Sequence, residues 1–237
     1  MTPAANLILR LHTHAVAANL TFDGAEGRWK ALQASDIYER RAYLSEVYRN
    51  ALARQVRTLG YEIESQRDAR GRDAGFEIRG VPAELLAKFS QRSHQRDRAI
   101  EAFTAERGRR PTDNEVAVLV RESRADKLTA ISTRELRQKQ RERMTPDEEQ
   151  VLAQARNTLS SPSMVADSSA PSLDYAQEHI FERVSVALDH ELLTEALRHG
   201  RGRIHLADLK GELHLQESAG KVLRSGREIA TALSLER

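Results

Sequence analysis

Cysteine is absent from the 237 residues, which excludes disulfides and thiolate metal sites and makes a reducing compartment the simplest setting. Aromatics are scarce, with five Phe, five Tyr and one Trp, so any core rests on aliphatic side chains. Long apolar runs are missing too. Leu7-Ile8-Leu9 is too short for the core of a signal peptide and has no basic leader, and nothing later approaches the ~20 apolar residues of a membrane span. A soluble, cytoplasmic chain with no membrane partner is expected.

Charge is plentiful. Asp, Glu, Lys and Arg make up 30% of the chain and the mean hydropathy is -0.59, which favours long solvated helices over a sheet sandwich. The net charge of +2 is unevenly spread. Lys88 to Arg143 holds 15 Lys/Arg against 9 Asp/Glu, a local +6, while the remainder carries 22 against 26, a net of -4. A basic middle on a near-neutral chain points to a polyanion partner. The plainer reading is a set of solvated helices whose charges pair four residues apart.

Residues 7–21 alternate like a strand, Asp23-Gly24 signals a turn and Arg28 to Leu32 a returning strand, which together make a hairpin. Ser35 is a fitting N-cap for one helix ending at Gly60, with a buried stripe of Leu44, Val47, Tyr48, Ala51, Leu52, Val56 and Leu59. The stretches 61–65 and 76–80 form a second hairpin. Beyond Pro82 one long helix runs to Gly108, another starts at Pro111-Thr112-Asp113, and charged helices cover 133–143 and 146–157. The Ser/Pro/Ala-rich stretch 158–172 reads as a linker. After it come helices over 173–188, 190–199 and 206–213, a strand at 221–224 and a helix from Gly226 to Arg237, a winged-helix-like module. The fold class is α+β.

The residues with most chemistry are His12 and His14. On a strand, side chains two apart leave the same face, so both imidazoles can reach one divalent ion. The other histidines are scattered and read as surface or helix-end residues. A basic groove for single-stranded DNA would draw on Arg92, Arg96, Arg98, Arg107, Arg109 and Arg110, with Trp29 as a stacking ring. Phe89 and Phe103 read as core. Nothing matches a phosphate-binding loop of the G-x-x-x-x-G-K-[ST] type. Gly200-Arg201-Gly202-Arg203 lacks its Lys-Ser/Thr and is a helix stop, so no ATP site is expected.

The words LHTHAVAANLT, RWKAL, IYERRAYLSEVYRNALARQVRTLGYEIE, GFEIRGVPAELLAKFSQR, EVAVLVRESRADKL and STRELRQKQ, in that order over most of residues 6–157, resemble the later half of the relaxase domain of TrwC/TraI-type conjugative relaxases. In that family an antiparallel sheet bears a three-histidine metal site, and a tyrosine near the start attacks a scissile phosphate and stays linked to the 5′ end. The resemblance implies that His12 and His14 are two of the metal ligands, for Mg²⁺ or Mn²⁺ acting as a Lewis acid. It also implies that the helices beyond Pro82 cover single-stranded DNA of the transfer-origin type.

It places the remaining histidine at Met1 and the catalytic tyrosines and an orienting acid earlier still. The expectation is therefore a truncated, nicking-incompetent relaxase domain over 1–157, with sheet hairpins in 7–80 and a DNA-covering helical part in 82–157. No catalytic residue is assigned, and an N-terminal relaxase fragment is a candidate partner. Tyr38, Tyr43 and Tyr48 read as packing and helix surface. IFERVSVALDHELLTEALRHGRGRIHLADLKGEL and SGREIATALSLER are similar to the stretch preceding the helicase core of large relaxases, so 173–237 would precede a core that is missing. Two alternatives stand beside this. One is a non-enzymatic regulator reading duplex DNA with a C-terminal winged helix, to which RGRRPTDNEVAVLV adds a likeness to a sigma-factor segment. The other is a metal hydrolase built on the histidine pair.

Overall fold

The structure, a computed structural model, describes residue 16 and residues 18–122, 132–157 and 167–236. Among these it is mixed α+β, with eleven helices and three small antiparallel sheets. Two compact units emerge: among the described residues one falls within Gly80–Gln154, and the other within Ala15–Arg79 and Ala155–Arg237.

The first hairpin pairs β1 (Thr21–Asp23) with β2 (Arg28–Lys30), and Phe22 sits directly opposite Trp29. Its turn is held by Asp23, whose carboxylate accepts from the Ala25 and Glu26 amides at 2.9 and 3.2 Å and from Lys30 Nζ. The strand expected from residue 7 begins at Thr21 among the described residues; residues 7–15 lie outside them.

The helix expected from Ser35 is two helices, α1 (Ser35–Glu39) and α2 (Arg41–Thr58), broken at Arg40 with φ -87° and ψ 12°. Ser35 lies inside α1 instead of capping it. Gly60 ends the run with φ +89°, open to a residue without a Cβ. The face that α2 buries is also not the one its apolar residues suggest. Glu46, Asn50 and Ala53 are buried, while Leu44, Tyr48, Leu52 and Leu59 are exposed. Tyr43 and Val47 are half-buried against the core of this unit. The second hairpin, β3 (Ile63–Arg67) with β4 (Asp73–Ile78), matches its expectation, with a register shift at Gln66/Arg67.

In the other unit the long helix expected from residue 84 is α3 (Ala83–Phe89) and α4 (Gln91–Arg107), broken at Ser90 with φ -97° and ψ 45°. Gly108 closes α4 at φ +65°, and α5 (Asp113–Glu122) packs against it. There follow α6 (Thr133–Arg141), capped reciprocally by Ser132 and Glu135, and α7 (Pro146–Asn157). Lys88 Nζ bonds both Glu148 oxygens at 2.8 and 2.6 Å, and Arg143 donates to the Lys88 carbonyl at 2.8 Å.

The C-terminal stretch runs α8 (Ala170–Phe181), β5 (Ala187–Leu188), α9 (Asp189–His199), α10 (Leu206–Ser218), β6 (Val222–Ser225), β7 (Glu228–Thr231) and α11 (Ala232–Leu235). Its sheet order is β5-β7-β6, all antiparallel. Helix, strand, two helices joined by a turn, then a two-stranded wing is the winged-helix arrangement expected. Several bounds differ from the sequence reading: α8 opens at Ala170, inside the stretch 158–172 expected as a linker, and α10 runs on to Ser218 instead of stopping at 213. The helix over 173–188 stops at Phe181 and yields to β5, and the helix from Gly226 is β7 followed by the short α11. Gly226, at φ +60°, makes the turn of the wing. Leu173, Leu192, Leu197, Ile204, Leu209 and Ile229 are buried at 1% exposure or less and form one cluster. Burying each such side chain contributes roughly 1.5–3 kcal/mol.

Candidate nucleic-acid interface

His12 and His14 lie outside the described residues. Among the described residues no group of three or more His, Asp or Glu could hold a metal ion. No helix among them is long and apolar enough to cross a membrane.

Trp29 is 64% exposed and Phe22 54%. Their ring centroids are 5.4 Å apart with planes at 69°, an edge-to-face pair on the hairpin surface. Large rings left in solvent forgo burial worth roughly 1.5–3 kcal/mol for a Phe-sized side chain, so an exposed aromatic pair marks a surface suited to a partner's flat rings. The sequence singles out Trp29 as a stacking ring, and the structure adds Phe22 beside it. The alternation that made β1 a strand offered the signal, since the cross-strand neighbour of an exposed residue shares its face.

The arginines expected to hold DNA sit in the other unit. Arg92, Arg96, Arg98 and Arg107 lie on α4, and Arg109 and Arg110 on the turn after it. Three of them are paired on the surface: Arg96 with Asp97 at 2.8 Å, Arg107 with Glu106 at 3.5 Å and Arg109 with Glu115 at 2.7 Å. Arg98 and Arg110 are exposed. Exposed ion pairs are worth about 0–1 kcal/mol, so a phosphate can displace them at small cost. Arg109 also lies over the Phe103 ring at 5.2 Å, and Arg143 over Phe89 at 4.8 Å. Both phenylalanines, expected in the core, are half-buried.

Glu115 anchors the start of α5. It accepts from both Arg109 terminal nitrogens and from the Thr112 amide and hydroxyl. The Arg109 hydrogen bonds, then those from Thr112, hold its carboxyl down at about 2. Arg109 is pushed up by the same contact.

A second basic locus, not legible in the sequence, lies in the unit of α2 and the winged helix. Arg201, in the turn between α9 and α10, is 4% exposed. Its guanidinium donates to Glu46 Oε1 at 2.7 Å, to both Asp73 carboxylate oxygens at 2.8 Å and to the Gly75 carbonyl at 2.7 Å. Burial alone would lower its pKa, but the Asp73 hydrogen bonds and the Glu46 charge outweigh that and hold it above the ordinary value. Asn50 of α2 donates to the Ile204 carbonyl at 3.0 Å and accepts from the Gly202 amide at 2.8 Å. Arg57 donates to the Gly202 carbonyl at 3.1 Å, and Arg54 lies 2.6 Å from the His205 ring. The polar stripe of α2 is buried because it plugs this turn. Gly200-Arg201-Gly202-Arg203 is the helix stop expected, and a docking knob as well.

The same contacts bear on duplex reading. His205 is the N-cap of α10, the helix that would enter a DNA groove, and it is held against α2. Exposed or half-exposed positions of α10 carry Asp208, Glu212 and Glu217 against Lys210. The wing arginines are engaged, Arg224 with Asp189 and Glu217, and Arg227 with Asp36.

A family model described as TrwC relaxase matches residues 10–146. The multifunctional conjugation protein TraI of Escherichia coli (strain K12) is 35% identical over 91 residues, which is 35% of this chain and 5% of that protein. The chain thus spans a small fraction of that relative's length. No solved structure matches the chain. With residues 10–146 matched, more than half of its length, the chain belongs to the TrwC relaxase family.

Proposed function

We propose that this chain holds single-stranded DNA as part of a conjugative relaxase. The exposed Phe22–Trp29 pair offers a stacking platform, and the α4–α5 arginines offer phosphate contacts. The observation that carries the reading is that aromatic pair, on a hairpin that follows His12 and His14 directly in sequence and belongs to the family's matched region. Base stacking contributes about 1–3 kcal/mol per base and tolerates any sequence. On this reading residues 1–157 are the relaxase-type part, the linker expected over 158–172 ends before Ala170, where α8 opens, and 170–237 are a module whose helix-turn-helix knob is spent on α2.

His12 and His14 would hold a divalent ion, Mg²⁺ or Mn²⁺, whose chemistry is to polarise phosphate oxygens. In the family the nucleophilic tyrosine precedes the histidines in sequence, and all five tyrosines here follow them. Tyr38 is exposed on α1 against Arg41, Tyr43 packs on the core and Tyr175 stacks on His199 at 4.2 Å. We therefore infer that the 237-residue chain alone binds the strand without cutting it.

The regulator reading requires α10 and the wing to face duplex DNA, and the contact of His205 with Arg54 of α2, together with the acidic Asp208, Glu212 and Glu217 on α10, weighs against it. Fluorescence anisotropy with a labelled oligothymidine and with a duplex of equal length tests the proposal. Tighter binding of the single strand, with no covalent 5′ adduct in Mg²⁺ or Mn²⁺, is the expected result. Preference for duplex would overturn it in favour of the regulator.

A further inference from the structure

Where the end of α2, the β3–β4 hairpin and the α9–α10 turn meet, they enclose a cavity of about 280 Å³ lined by Arg57, Arg79, Arg201 and Arg203 with Glu62, Ser65 and His199. We propose that this cavity is a phosphoryl-anion site, taking one phosphate of a nucleic-acid strand.

The charge balance favours an anion. Arg201 and Arg49 together balance the Glu46 and Asp73 carboxylates, and Arg201 serves as a fixed floor. Arg57 spends one terminal nitrogen on the Gly202 carbonyl and forms no ion pair among the described residues. Arg203 gives one nitrogen to the His199 carbonyl at 3.0 Å, and its other lies 3.6 Å from Asp167. Arg79 is bonded to Glu62 at 2.9 Å. Three cations therefore line the space against Glu62, while Asp167, outside the lining, reaches Arg203.

An arginine has five donors in a planar fork, so each of these keeps donors for phosphate oxygens. His199 adds no further positive charge at neutral pH. Burial, then the Arg203 charge, pushes its pKa down, and its Nδ1 lies 3.2 Å from the Ser172 hydroxyl. The volume falls just below the ~300–1,000 Å³ of pockets for drug-sized ligands, which suits a phosphoryl group better than a whole nucleotide.

Asp167 is a carboxylate that already reaches Arg203 and is 58% exposed on its side chain. It competes with an arriving anion. Removing its charge should strengthen the site.

A phosphoryl oxyanion can come from a strand or from free phosphate, and the full chain distinguishes them. Inorganic phosphate is titrated while the His199 ring protons are followed by NMR, and oligothymidine affinity is measured for the wild type, R57Q, R203Q and D167N. Phosphate in the pocket should shift the His199 resonances and raise its titration midpoint. R57Q and R203Q should each weaken oligothymidine binding several-fold and lower the salt slope by about one. D167N should tighten it. R79Q, changed at an exposed residue, serves as a second loss variant should R57Q unfold, since Arg57 also supports the Gly202 turn.

Phosphate-induced His199 shifts with unchanged oligothymidine affinity in R57Q, R203Q and R79Q would reassign the pocket to free phosphate and overturn the strand assignment. No His199 shift and no change in any variant would overturn the site altogether. The strand arm rests on the single-strand reading. Failure of that reading appears as no oligothymidine binding by the wild type, whereas failure of the pocket leaves wild-type binding intact and the variants indistinguishable from it.

Discussion

Arg201 and Glu46, 155 residues apart in the chain, form an ion pair at 2.6 Å with side chains 2% and 1% exposed. Asp73 and the Gly75 carbonyl complete the guanidinium's partners, so helix, hairpin and winged-helix turn meet on one side chain. The attraction offsets the desolvation of two buried charges because nearly every donor of the arginine is used.

The first prediction concerns that pair. R201M leaves the buried Glu46 with only the longer contacts to Arg49 at 3.6 Å and Arg198 at 3.9 Å, and should cost up to roughly 3–5 kcal/mol in urea unfolding. E46L/R201M should recover most of the loss, because Asp73 keeps Arg49 at 3.4 Å. Equal destabilisation in the double variant would show that Glu46 is not the group left stranded.

Gly202 tests the same junction through the backbone. Its φ is +74°, and an added Cβ would meet Ala53 Cβ and Ile63 Cδ1 at 3.1 Å. The left-handed conformation alone costs a non-glycine residue roughly 1–2 kcal/mol. G202A should therefore lower the urea midpoint by at least that much, and G211A, where a Cβ meets nothing within 4 Å, should not lower it.

The α5 cap should respond to acid. Glu115 is held down at about 2, mainly by Arg109, against an ordinary 4.5. A depressed carboxyl contributes stability above its unfolded value, and that contribution is lost as pH falls through the folded one. The Arg109–Glu115 lock should therefore be intact above pH 4.5 and dissolve toward pH 2. Carboxyl carbon NMR checks this: the midpoint of Glu115 should rise in R109Q.

Metal binding should depend on the histidine pair. Mn²⁺ titrated into the chain should bind weakly, since catalytic sites usually keep about three protein ligands. H14A should abolish the binding, as read by the free Mn²⁺ resonance signal. Binding unchanged in H12A and H14A would place the ion elsewhere.

Local signals made much of the fold legible. Pro146 and three acids in the first turn mark the start of α7, and the alternation around Phe76 marks the second hairpin. Breaks at Arg40 and Ser90 were not visible, because neither is a proline or glycine and the flanking residues are good helix formers. The tail misled for a different reason. Ile229, Ala230 and Leu233 fit helical spacing, yet Gly226 turns the chain back so that β7 pairs between β5 and β6.

The candidate site divides in the same way. Trp29 could be read directly as the single tryptophan beside a turn. Arg57 and Arg203 could not be associated with one another, since 146 positions separate them and only folding brings them to one cavity. The buried face of α2 defied its apolar pattern because Glu46 and Asn50 find specific partners in a turn far along the chain. Hydrophobic periodicity cannot foresee a polar face that is fully paired.

The most direct test uses Trp29, the sole tryptophan, as its own reporter. Oligothymidine added to the chain should quench its fluorescence through stacking, the titration should weaken steeply with salt, and F22A should reduce the affinity several-fold. A tryptophan signal unchanged at saturating oligothymidine would contradict the account.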